Sequence, residues 1–130
     1  MFTIKQIKVA HSQVKSGIDF PKYVQELIKL GVLSYNTYVT DGHTEYLGKD
    51  HYHIQSEAIH PNFNVADVSD KEKFRKCLKI HQLGQTDYLT FSKHSAESGV
   101  EKWKVDTVKM TCTYYDKQGD KLLVEDIPTP

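Results

Sequence analysis

Residues 32–47 read V-L-S-Y-N-T-Y-V-T-D-G-H-T-E-Y-L, and the way this stretch folds decides the architecture around it. Asp41-Gly42 stands between two runs rich in β-branched and aromatic residues, a pairing that marks a β-hairpin. The dipeptide predicts a two-residue type I′ turn, because Gly adopts positive φ freely and Asp tolerates it. That turn would set Thr40 opposite His43, Val39 opposite Thr44, Tyr38 opposite Glu45 and Thr37 opposite Tyr46. Side chains alternate across a strand, so Leu33, Tyr35, Thr37, Val39, Thr44 and Tyr46 share a face suited to a core. Asn36, Tyr38, Thr40, His43 and Glu45 share the opposite, polar face.

The stretches on either side read as helices. Thr3 with Gln6 forms a capping box and Phe2 with Ile7 a hydrophobic staple, opening a helix that runs to about Lys15 with Ile4, Ile7, His11 and Val14 on one stripe. Ser16-Gly17 breaks it. A second helix starts near Asp19 with Pro21 in its first turn. It buries Phe20, Tyr23, Val24, Leu27 and Ile28 at helical spacing and stops at Gly31.

After the hairpin a third strand is expected over 51–59, and a short fourth over 63–68. Ser69 with Glu72 reads as a second capping box, opening a helix with Phe74, Cys77, Leu78 and His81 inward. Thr86 then caps a shorter helix through Tyr88, Leu89, Phe91 and Ala96. Residues 100–115 are rich in Val, Thr and Tyr, and their alternation changes phase near Asp106-Thr107. A β-bulge explains such a change within one long strand. Asp116-Lys117-Gln118-Gly119 predicts a type I turn with Gly119 in a G1 bulge, leading to a last strand over 121–127. The order is αα-βββ(β)-αα-ββ. The fold class is therefore α+β, an antiparallel sheet with helices packed on one face.

The chain has 130 residues, which suits one domain over 1–130 with a frayed tail at 128–130. Lys and Arg number 17, as do Asp and Glu. A nucleic-acid binder usually carries a basic excess, so this balance argues against that partner. No apolar run approaches the roughly 20 residues of a membrane span, and the first residues lack a signal-peptide core. Cys77 and Cys112 match no metal or redox spacing. Together these features point to the cytoplasm, with neither nucleic acid nor membrane as partner.

Four motifs carry a resemblance to a known family. F-x-x-Y-x-x-E-L-x-x-L-G-V at 20–32, S-Y-x-T-Y-V-x-D-G-H-T-x-Y at 34–46, G-V-E-K-W at 99–103 and M-T-C-T-Y-Y-D at 110–116 resemble the YbcV-like family, a group of small bacterial, partly prophage-associated proteins of unknown function. The resemblance spans nearly the whole chain. It implies a bacterial source and an α+β fold, and it brings no catalytic or binding residues with it.

Candidate sites follow from residue type and spacing. On a continuous strand His51 and His53 project from one face roughly 7 Å apart. Beside the strand of His43, the three histidines would leave an open position for a divalent metal such as Zn²⁺, with hydrolysis through a bound water as its chemistry. The simpler reading is that they line the wet side of an antiparallel sheet. Tyr38, Asp41, His43 and Glu45 form the candidate ligand-binding set, and Asp41 with His43 a candidate acid–base pair. His11 and His81 lie on apolar stripes and read as hydrogen-bonded core histidines. Cys77 and Cys112 lack the electropositive, exposed setting of a reactive thiol.

Eight tyrosines are the other peculiarity of the composition. Tyr buries an apolar ring and keeps a polar tip, which suits the wall of a small-ligand pocket between helices and sheet, or an interface on an open sheet edge, such as a homodimer's. These features favour a non-enzymatic ligand-binding or protein-interaction module with no cofactor. The alternative is a small metal-dependent or histidine-using enzyme on the polar face.

Overall fold

The computed structural model describes residues 1–15 and 17–129. Thr3 caps α1 (Ile4–His11) through its capping box with Gln6, and Phe2 and Ile7 are both buried beside it. The helix ends at His11 rather than Lys15, with the Val14 amide turning back onto the His11 carbonyl. The expected break at Ser16 lies outside the described residues. A 3₁₀ turn, Gly17–Asp19, leads into α2 (Phe20–Leu30), whose Pro21 sits in the first turn and whose C-cap Gly31 is left-handed. Asp19 makes no side-chain cap of α2; its carboxylate instead accepts from the Lys15 amide at 2.9 Å. Tyr23, Val24 and Leu27 are buried as the spacing predicts, while Ile28 is 40% exposed.

The hairpin pairs β1 (Val32–Tyr38) with β2 (Thr44–Gly48), but two residues off the expected register: Thr37 faces Thr44, and Tyr35 faces Tyr46. The reason is a four-residue loop, 39–42, in which the Gly42 amide donates to the Tyr38 carbonyl and the Tyr38 amide to the His43 carbonyl. Gly42 has φ 78°, whereas Asp41 is not among the residues of positive φ, so the turn is not type I′. A shift of two leaves every side chain on its expected face. Tyr35, Thr37, Val39, Thr44 and Tyr46 are buried accordingly. Leu33 is the exception at 43% exposed, because the ladder slips between Val32 and Ser34 and turns it outward. Thr107 pins that irregularity by donating its hydroxyl to the Val32 carbonyl.

The strand expected over 51–59 is shorter. A 3₁₀ turn, Lys49–His51, precedes β3 (His53–Gln55), and both Asp50 and His51 have positive φ. The segment 56–70 holds no strand. It runs along the hairpin loop, where the Ile59 and Phe63 amides donate to the Asp41 and Thr40 carbonyls, and then to the end of the last helix, where the Asp70 amide donates to the Ser98 carbonyl.

Both later helices are capped one residue beyond the expected position. Asp70 caps α3 (Lys71–Gln82) and Asp87 caps α4 (Tyr88–Glu97), each through its own carboxylate. A carboxylate at an N-terminus also complements the helix dipole, which favours Asp over the neighbouring hydroxyl. The stretch 100–115 is two strands, β4 (Lys102–Asp106) and β5 (Thr111–Tyr115), folded back on each other. Asp106 Oδ1 accepts from the Val108 and Lys109 amides, and Met110 takes φ 55°. The phase change is thus a hairpin. The final turn is as expected: the Gly119 amide donates to the Asp116 carbonyl, Gly119 has φ 82°, and β6 (Lys121–Asp126) follows.

The result is an α+β fold with four helices and one antiparallel sheet of strand order β3-β2-β1-β4-β5-β6. Two αα-βββ units stand side by side, joined through β1 and β4 at the centre of the sheet. The buried residues of all four helices, Leu27 and Phe74 among them, join one core with Tyr35, Tyr46, Val105 and Tyr114. The helices therefore share one face of the sheet, leaving His43, Glu45 and Lys102 on the other. No described helix is long and apolar enough to cross a membrane.

Candidate functional site

The polar-face residues are brought together in part. His43 Nδ1 lies 2.6 Å from Asp41 Oδ1, and the His43 amide donates to the same oxygen at 3.0 Å. The His43 ring stacks on Tyr38 at 4.5 Å, within 6° of parallel. The Tyr38 hydroxyl donates to Glu45, which pushes the phenol up to about 12; the same bond is the main reason the Glu45 carboxyl lies below its ordinary value. His53 adds a 3.3 Å contact to Glu45. Burial pushes the Asp41 carboxyl up, but the His43 amide and ring outweigh it and hold it low. Tyr38, Asp41, His43, Glu45 and His53 therefore form one contact chain whose charged groups already serve one another. His51 stands apart, in the turn before β3 with φ 64°, so it shares no strand with His53. Among the described residues no three His, Cys, Asp or Glu side chains are grouped to hold a metal ion.

The opposite face holds a cleft of about 590 Å³. Its floor is the middle of the sheet, where Thr37 and Thr44 share a 2.9 Å hydrogen bond between Tyr35, Tyr46, Trp103 and Tyr114. One wall comes from the end of α1 and the start of α2, the other from the end of α3 and the start of α4. Two helix pairs laid on one sheet meet imperfectly along their seam, and the seam is the cleft. His11 sits at that seam, edge-on to Tyr23 at 5.3 Å and to Tyr88 at 6.4 Å.

Burial favours the neutral form of the cleft's phenols, of its thiol and of its two imidazoles. Burial is the leading cause that raises Tyr23, Tyr35, Tyr46, Tyr88 and Tyr114 above the ordinary phenol value. The interaction between the Tyr23 and Tyr46 hydroxyls further raises Tyr23 and pulls against the rise of Tyr46. Burial also pushes the Cys112 thiol up to about 12 and lowers His11 and His81. His81 Nδ1 reaches the Thr86 carbonyl at 3.1 Å, and a carbonyl can only accept, so the proton is on Nδ1 and Nε2 carries a lone pair. The volume, the aromatic lining and the few placed polar atoms match a small-molecule site.

Tyrosine abundance is the sequence signal that points here, through the pocket between helices and sheet. Glu125 and Gln82 carry no comparable signal. Glu125 interrupts the apolar run L-L-V at 122–124, and only its register opposite the buried Cys112 shows that it faces the cleft.

Fold and cleft define a small α+β protein with an aromatic cavity between two helix pairs and an antiparallel sheet. The chain belongs to DUF1398, a family of unknown function whose model matches residues 8–126. No curated protein matches it.

Proposed function

We propose that this protein is a non-enzymatic binding module that takes a flat, largely apolar small molecule in the cleft. The observation that carries this reading is the 590 Å³ volume, within the range of roughly 300–1,000 Å³ that small-molecule sites occupy. The walls offer ring faces and edges for stacking, and Tyr hydroxyls and His81 Nε2 for orientation. The high thiol value of Cys112 supports binding over covalent chemistry. The free cysteines and the YbcV-like motifs support a bacterial, prophage-linked protein working in a reducing cytoplasm. The test is an amide and indole N–H NMR titration with 1-naphthylmethanol. Shifts at Trp103, Tyr88 and Tyr114 are expected; shifts confined to the 38–45 hairpin would move the site to the other face.

A second reading, a histidine-using enzyme on the polar face, draws on the 2.6 Å Asp41–His43 pair. A carboxylate fixed on Nδ1 leaves Nε2 as a general base. It is weaker because no described nucleophile hydrogen-bonds to that imidazole.

A further inference from the structure

Glu125 pairs in register with the buried Cys112, so its side chain turns to the helix-covered face and lines the cleft. Among the described residues its carboxylate accepts one hydrogen bond, the 3.0 Å donation from Gln82 Nε2, a neutral amide. Among the described residues no Lys, Arg or His forms an ion pair with it. Glu125 also lines a second groove, outside the cleft, with Arg75 and Lys79, and Arg75 is already paired with Glu72 at 3.7 Å. Burial pushes the Glu125 carboxyl up, with Gln82 opposing. A partly buried carboxylate without a positive partner is costly and invites one.

The surroundings favour the same sign of ligand. Asp87 and Asp126 also line the cleft, against Lys15 as its lysine, and His11 and His81 are held neutral by burial. An anion would therefore meet three carboxylates. Tyr114, two residues along β5 from the Cys112 that Glu125 faces, lines the same cleft, and its ring lies 6.1 Å from that of Trp103. Aromatic faces attract cations through their quadrupole, most of all in a desolvated site.

We propose that the ligand is an organic cation: an ammonium or amidinium group seated between Glu125 and the Tyr114 ring, carried on a flat apolar body that packs against Trp103, Phe91 and Tyr88. The proposal rests on the reading of the cleft as the binding site. The guest displaces or shares the Gln82 hydrogen bond and supplies the positive charge that Glu125 lacks.

Three probes of one shape separate the cases: 1-naphthylmethylamine, a cation at neutral pH, 1-naphthylmethanol, and 1-naphthaleneacetate. Each is titrated calorimetrically into the wild type and Glu125→Gln. The amine should bind roughly tenfold or more tighter than the alcohol, about what one charge-assisted hydrogen bond contributes, and the acetate weakest. In Glu125→Gln the preference for the amine over the alcohol should be lost. Equal binding of amine and alcohol by the wild type, tightest binding of the acetate, or a preference that survives in the variant would overturn the cation proposal and leave the cleft reading standing. Binding of none of the three would overturn the cleft reading and the proposal with it. The wild-type comparison decides the matter even if the variant does not fold.

Discussion

The imidazole of His81 lies flat against Phe91, ring centroids 4.3 Å apart and planes within 9° of parallel, while its Nδ1 donates to the Thr86 carbonyl. Burial is the main reason that its pKa is below the ordinary value, with Thr86 and Asp87 opposing; His11 is lowered by burial alone. Both histidines thus have a folded pKa below the unfolded value of about 6.5. The unfolded chain binds more protons than the native one between those values, so their contribution is fully present above about pH 6.5 and is lost as pH falls through the folded values. Glu125, raised by burial, acts in the opposite sense nearer the carboxylate range. Denaturant unfolding at about pH 7 and about pH 5.5 should show a loss of stability on acidification, smaller in His81→Phe. An identical loss in the variant would mean that His81 is not buried neutral.

The hairpin tip gives a second prediction. Gly42 has φ 78°, and a Cβ there would press on Ile59 Cγ1 and lie 2.9 Å from Ile59 Cδ1. Gly42→Val therefore combines backbone strain with a clash. The expected cost is about 2–4 kcal/mol, read from the denaturant midpoint. An unchanged midpoint would show that the loop 39–42 is not held as described.

What was legible in the sequence was local. The Thr3–Gln6 box, the Gly31 cap and the Asp116–Gly119 turn each depend on residues a few positions apart, and each formed as read. The two faces of the first hairpin followed from parity alone. Its register did not, because loop 39–42 is held by amides of 59–63, far along the chain. The two αα-βββ units show no sequence repeat. Alternation likewise cannot tell a bulge from a hairpin, so it does not show the turn at 107–110, nor the positive φ that takes His51 off its strand. The cleft is the least local feature of all, since all four helices, five strands and Glu125 near the chain's end build it.

His43→Ala should cost about 1 kcal/mol through the lost Asp41 contact and the Tyr38 stack, both partly exposed. Ligand binding in the cleft should be untouched. Abolished binding at unchanged stability would instead favour the polar-face enzyme.

Glu125→Gln should leave the melting temperature unchanged or raise it at neutral pH, since the substitution removes a carboxylate that burial disfavours. Functional sites commonly trade stability in this way. A clear fall would mark Glu125 as a structural carboxylate serving the fold.

The binding cleft itself is tested most directly through Trp103, the single tryptophan. Its ring is 7% exposed and stands 5.6 Å from Phe91 and 6.2 Å from Tyr88 on the cleft wall. Its emission therefore reports on a guest in contact with those rings. Titration with 4-bromobenzyl alcohol, a neutral heavy-atom quencher, should give blue-shifted native emission that is quenched along a saturating curve, identical in His43→Ala. Quenching that stays linear with concentration, as for free tryptophan, or no quenching at all, would contradict a binding site in the cleft.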